Sequence, residues 1–125
     1  MSGTEENALK ISLEIYDKRV GGYLFRHLSP RTFSSLVRLF PIVAPLVVED
    51  EKSINILANL SLQADKYTSS IKAGDIVYRP RNRSICIFLQ DIRSEERIVP
   101  IGRVEDIKSL RDIKGSTTVR ICAVS

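Results

Sequence analysis

The stretch Gly74–Gln90, GDIVYRPRNRSICIFLQ, decides how the rest of the chain is read. Two apolar runs, Ile76 to Tyr78 and Ile85 to Leu89, are rich in the branched and aromatic residues that suit a pleated surface, and a polar turn joins them. The pattern is a β-hairpin. Its tip carries Arg79, Arg81 and Arg83 at every second position. If the strand stays regular through Pro80, alternation puts the three on one side, a basic rim that grips a carboxylate or phosphate by forked hydrogen bonds. A tight turn scatters them and leaves only a solvated hairpin end. Tyr78 offers a flat surface for stacking, or else a core ring whose hydroxyl finds a partner.

Upstream, Leu9, Ile11, Leu13 and Ile15 alternate with Lys10, Ser12, Glu14 and Tyr16, the period of a half-buried strand. The YDKR turn leads to a second strand, VGGYLF, in which Gly21 and Gly22 suggest a bulge or a sharp bend. A helix follows. Ser29 suits its N-cap, Pro30 its first position and Pro41 its stop, while Phe33, Leu36, Val37 and Phe40 form one apolar stripe. Leu28 and Phe33 are placed for a hydrophobic staple.

Between this helix and the hairpin, PLVVED and SINILANLSLQ read as strands around a charged turn, and ADKYTSSIKAGD reads as loop. Downstream, QDIRSEER reads as a charged connection and IVPIGRV as a strand. Glu105 to Asp112 makes a short helix with Ile107 and Leu110 inward, and TTVRICAV closes the chain as a strand. Many short strands with two helices describe a β-rich barrel or sandwich whose open ends are covered.

The chain has 125 residues, enough for one domain with a real core, at 43% hydrophobic and 27% charged. Residues 1–125 read as a single domain, with 1–7 as a polar tail. No apolar run approaches the ~20 residues of a membrane span. The start MSGTEEN is not a secretory signal, and Ser2 stands where myristoylation needs Gly, so a cytoplasmic protein is expected. Cys86 and Cys122 read as small reduced hydrophobes, with a disulfide open only if their strands are neighbours. With one histidine, His27, they make no metal site, and no cofactor is expected.

The run AGDIVYRP to SICIFLQ, then IVPIGRVEDIKSL and a last strand TTVRICAV, resembles the small prokaryotic cyclophilin-like proteins of the DUF369 (TM1367-like) kind. The matching positions are Gly74, Asp75, Ile76, Tyr78, Pro80, Ile85 to Leu89, and the Gly102, Arg103, Val104 step. The resemblance runs from Leu9 to Val124. It implies a mainly β fold, a closed antiparallel barrel of about eight strands capped by two helices. Where that family has Trp-Pro-Pro-Gly, this chain has Arg79, Pro80, Arg81 and Asn82. True cyclophilins place an arginine in the strands after the first helix and hold proline in an aromatic pocket. SINILANLSLQ has no arginine, and SICIFLQ has mostly aliphatics.

The expected function is therefore binding of a small molecule or peptide in a barrel-face groove without efficient catalysis, with Tyr78, Arg79, Arg81, Arg83, Ile85 and Ile87 as the ligand-binding residues. Prolyl isomerisation is the alternative. It needs an arginine donor to the prolyl nitrogen, drawn here from Arg79, Arg81 or Arg83. A third reading, a nucleic-acid accessory, rests on the net charge of +4 and the tip arginines. Against it, basic and aromatic residues are not interleaved. The chain is expected to be a monomer or weak homodimer. The serines of TFSS and YTSS lack a nucleophile-elbow context, and Glu49, Asp50 and Glu51 read as a solvated turn.

Overall fold

The structure is a computed structural model that describes residues 7–124. The expected tail 1–7 therefore lies, apart from Asn7, outside the described residues. Among the described residues nine strands form: β1 (Ala8–Ile15), β2 (Lys18–Phe25), β3 (Ile42–Glu49), β4 (Ser53–Ile56), β5 (Thr68–Ile71), β6 (Asp75–Arg79), β7 (Ser84–Phe88), β8 (Ile92–Val104) and β9 (Ser116–Ala123). A 3-10 turn (Arg26–Leu28) leads into α1 (Pro30–Val37), and α2 (Ile107–Arg111) precedes the last strand.

The order around the sheet is β2-β1-β9-β3-β4-β7-β6-β8, and β8 pairs back onto β2. Eight antiparallel strands thus close a barrel, and no free edge remains among them. The ninth strand, β5, lies outside the ring and pairs only with β8. Closure depends on glycine. Gly22 faces Val104 and Gly102 faces Leu24 across the β2–β8 seam. A Cβ on Gly22 would stand 2.8 Å from the Arg103 carbonyl oxygen, and one on Gly102 would overlap the Tyr23 carbonyl. The expected bulge at Gly21 and Gly22 is absent, since the β1–β2 register is continuous. The small residue serves a close backbone approach instead.

Inward-facing residues of the alternating strands fill the barrel: Ile11, Leu13 and Ile15 of β1, Leu46, Ile54 and Ile56, Val99 and Ile101, Val119 and Ile121. Phe33 and Leu36 of α1 and Leu110 of α2 join that core, with Phe40 and Ile107 packed against it. Ser29 does precede α1, but its hydroxyl donates to the Leu28 carbonyl rather than capping the helix. The cap comes from far along the chain. Asp65 accepts from the Arg31 N–H at 3.0 Å and from the Thr32 hydroxyl at 3.2 Å. Burial nudges the Asp65 carboxyl upward, and these hydrogen bonds outweigh it and hold the group below its ordinary value. At α2 the local cap works as usual: the Ser109 hydroxyl and N–H bond to Asp106 and lower its carboxyl.

Three segments differ from their sequence patterns. SINILANLSLQ is strand only to Ile56, after which the chain turns through Asn59 at φ 53°. Thr68–Ile71, expected as loop, is β5. The charged connection is the first half of β8: Ile92, Ser94 and Glu96 are half-buried while Arg93, Glu95 and Arg97 are exposed. Among the described residues no helix is long and apolar enough to cross a membrane.

Candidate functional site

The hairpin of β6 and β7 sorts its residues by face. Tyr78, Ile85 and Ile87 point into the barrel and belong to its core. The Tyr78 hydroxyl donates to the Leu60 carbonyl at 2.6 Å and accepts from the Leu62 N–H at 3.2 Å. Its ring is enclosed. Arg81 and Arg83 stand exposed on the turn, with Arg83 at φ 56°. The turn therefore breaks the alternation that would align the three arginines, and only Arg79 faces the outer wall.

That wall carries a second apolar cluster, separate from the barrel core: Ile71, Val77, Cys86, Phe88 and Ile98, with Ile92 against it. These are the outward residues of β5, β6, β7 and β8, which is why sequence periodicity alone counts both faces of β6 and β7 as apolar. Arg79 lies beside the cluster with its side chain 18% exposed. Its Nη2 donates to Glu96 Oε1 at 2.8 Å and its Nε to Glu96 Oε2 at 3.2 Å. Its Nη1 donates to Asn55 Oδ1 at 2.8 Å, and Asn55 in turn donates to Glu49 Oε1 at 3.2 Å. Glu49, Asn55, Arg79 and Glu96 thus form one network across β3, β4, β6 and β8. The Glu96 hydrogen bonds hold the Arg79 pKa above the usual arginine value, against the pull of burial.

Beside this network opens a cleft of about 200 Å³, its floor set by Phe88, Ile92 and Ile98 and its rim by Glu49, Asp50, Lys52, Ser53, Arg79, Ser94 and Glu96. Two cations meet three carboxylates there, so the cleft is not an anion trap. The fork of Arg79 that would grip a carboxylate is already held by Glu96. A guanidinium carries five N–H donors. Three are used in the network, and Nη1 also lies 3.7 Å from Glu49 Oε1, which leaves the second N–H of Nη2.

Cys86 lies fully buried in the outer cluster, and burial pushes its thiol up to about 12 despite the nearby Arg79 charge. Cys122 is half-buried on β9, and both thiols are free. Their strands are not neighbours, because β3 and β4 stand between β9 and β7. No group of three metal-ligating side chains gathers among the described residues. His27 lies on the 3-10 turn, its ring 5.8 Å from that of Phe25.

Arg79 was visible in the sequence, but its partners were not. Glu96 and Asn55 lie 17 and 24 residues away and meet it only through sheet order. The alternation of Ile92, Ser94, Glu96 and Ile98 was the one signal that pointed to this wall, and charge on the intervening residues hid it.

Comparison with known proteins supports the architecture. Residues 30–122 match the model of a cyclophilin-like family. A hypothetical protein from Archaeoglobus fulgidus, solved in solution, superposes with a TM-score of 0.71 at 15% identity, over 94% of this chain and 96% of that one. The crystal structure of the Mimivirus cyclophilin superposes with a TM-score of 0.55 at 13% identity, over 94% and 88%. At such identities the likeness is one of fold. No curated protein matches the sequence.

Proposed function

The chain belongs to the cyclophilin-like family, and from that premise we propose that it is a peptide-binding protein whose ligand lies in the outer-wall groove around Arg79. One apolar side chain of a short extended peptide, or of a peptide-like small molecule, packs on Phe88, Ile92 and Ile98. A backbone carbonyl beside it accepts from the remaining Arg79 N–H. The observation that carries this reading is Arg79 held rigid by Glu96 and Asn55 at the edge of an apolar cleft. An immobilised donor beside an apolar floor loses little entropy when a ligand arrives. At about 200 Å³ the cleft is smaller than the roughly 300–1,000 Å³ of ordinary ligand pockets, which favours one side chain over a whole drug-sized molecule. The excess of carboxylates favours neutral or cationic peptides over acidic ones. Among cyclophilin-like proteins, the Gly74, Asp75, Ile76 run and the Gly102, Arg103, Val104 step align the chain with the DUF369 kind.

Calorimetric titration with neutral, proline-containing tetrapeptides tests the reading. Binding that weakens about tenfold or more in Arg79→Met, through loss of a hydrogen bond from a charged donor, supports it. Equal affinity for both proteins overturns it.

The same arginine favours a second reading, prolyl isomerisation. The amide barrier is about 18–20 kcal/mol, and a donor to the prolyl nitrogen weakens the resonance that sets it. The two readings separate in a protease-free isomerisation assay. Acceleration that vanishes in Arg79→Met identifies an isomerase, and none at high protein concentration leaves binding alone.

A further inference from the structure

On the opposite wall of the barrel, β2, β1 and β9 lay down their outward residues in register. Gly21 faces Ser12, and Ser12 faces Cys122. Three small residues in a row across three strands leave a trough. One wall is the row Arg19, Glu14 and Arg120, and the other is Tyr23 and Lys10 with Val124 beyond. The Glu105 carboxylate lies over Gly21, in the room that a side chain there would fill. The resulting cleft has a volume of about 550 Å³, within the range of small-molecule sites.

Two groups on its floor carry the chemistry. Ser12 is 5% exposed, and its hydroxyl oxygen has no hydrogen-bond partner among the described residues. A buried hydroxyl left so is costly, and a ligand that pairs with it removes the cost. Beside it the Cys122 sulfur lies 3.5 Å from Arg120 Nη1 and 3.9 Å from Glu14 Oε2. The thiol thus donates towards Glu14, and the Arg120 guanidinium stands beside the sulfur, placed to accompany a thiolate. The rim alternates in sign. Lys10 and Arg19, the latter also 3.5 Å from Glu14, can hold carboxylates, and Glu105 an ammonium group.

We propose that this trough is a thiol-exchange site, in which Cys122 takes up one half of a zwitterionic low-molecular-weight disulfide of the glutathione-disulfide class. The Cys122 sulfur attacks one sulfur of the disulfide and forms a new S–S bond, and the old S–S bond breaks. The second half leaves as a thiolate and takes the proton that Cys122 gave up. The incoming disulfide is the oxidant, so Cys122 is oxidised and the departing half reduced. The attached half lies along the trough with its carboxylates towards Lys10 and Arg19, its ammonium towards Glu105 and an amide on Ser12. This site is distinct from the Arg79 groove, and neither depends on the other.

The reduced full chain is incubated with glutathione disulfide and, separately, with uncharged bis(2-hydroxyethyl) disulfide, each rate normalised to that of a free thiol. Intact-mass and peptide-map spectrometry follow the adduct. The expected result is an adduct on Cys122 and none on Cys86. The charged disulfide should react about tenfold faster or more, as for electrostatically guided encounters. Lys10→Glu, on the surface, should abolish that preference. Ser12→Ala should fold normally and slow the glutathione reaction. An adduct on neither cysteine, equal normalised rates, or a preference that survives Lys10→Glu overturns the proposal.

Discussion

The hydroxyl of Tyr78 is bonded to the carbonyl of Leu60 at 2.6 Å inside the barrel wall. That bond, with the one from the Leu62 N–H, anchors a segment that makes no strand of its own between Ile56 and Thr68. Leu60 also donates its N–H to the Arg83 carbonyl at 2.9 Å, so the segment is tied to both sides of the hairpin. Asp65 then reaches from it to cap α1. One tyrosine hydroxyl therefore helps to fix the helix, the segment and the hairpin that bears Arg79.

Tyr78→Phe leaves the Leu60 carbonyl and the Leu62 N–H without this partner in a buried place. We expect a loss of about 1–3 kcal/mol in urea denaturation, with faster amide exchange at Leu62. An unchanged midpoint would show that water replaces the hydroxyl.

The Asp65 cap predicts a pH dependence with a definite sign. Its carboxyl is held below the ordinary aspartate value, so its contribution is present in full above that value and is lost as the pH falls through the lowered one. Asp65→Ala should cost about 1 kcal/mol at neutral pH. The difference from the unmodified protein should vanish in acid, in urea melts that compare the two proteins at each pH.

Gly102→Ala places a methyl group against the Tyr23 carbonyl and Leu24 Cα, both backbone that cannot yield without opening the β2–β8 seam. We expect a loss well above the 1–3 kcal/mol of ordinary overpacking, read by thermal melting. Gly115→Ala meets no neighbouring atom and carries only the strain of φ +72°. Its cost should be about 1–2 kcal/mol, and the contrast separates close approach from conformational freedom.

Arg79 and Glu96 should be strongly coupled. Their side chains are 18% and 24% exposed, so water cannot readily replace the lost partner when either is changed. Glu96→Gln should cost about 1.5–3 kcal/mol, the range for hydrogen bonds to charged groups. A double-mutant cycle with Arg79→Met should show that most of this is shared. Additive costs would mean that the pair is open to solvent.

The period-2 pattern of β1, the Ser29–Pro30 entry to α1 and the hairpin around Arg79 were legible because each is written in neighbouring residues. The eight-stranded closure came from the family likeness, since the order of the elements left barrel and sandwich both open. What stayed hidden depends on distant partners. Leu57 to Gln63 carries a strand-like pattern, yet Tyr78 and Arg83 hold it in another path. Glu96 looked like one charge among many in a connection, and only the sheet order brings it to Arg79. The same holds for Ser12 and Cys122, 110 residues apart and face to face. Of the six site residues expected from sequence, Arg79 alone reaches the outer groove, because Tyr78, Ile85 and Ile87 alternate inward and the turn carries Arg81 and Arg83 into solvent.

The central claim is that the ligand lies on the outer wall beside Arg79. The measurement that tests it most directly is an amide chemical-shift titration of the labelled full chain with a neutral, proline-containing tetrapeptide. The account predicts saturable shifts at Ser53, Arg79, Phe88, Ser94, Glu96 and Ile98, and their loss in Arg79→Met. Shifts confined to the exposed turn at Arg81 and Arg83 or to the Gly21, Ser12 and Cys122 trough, or no shifts at all, would contradict it.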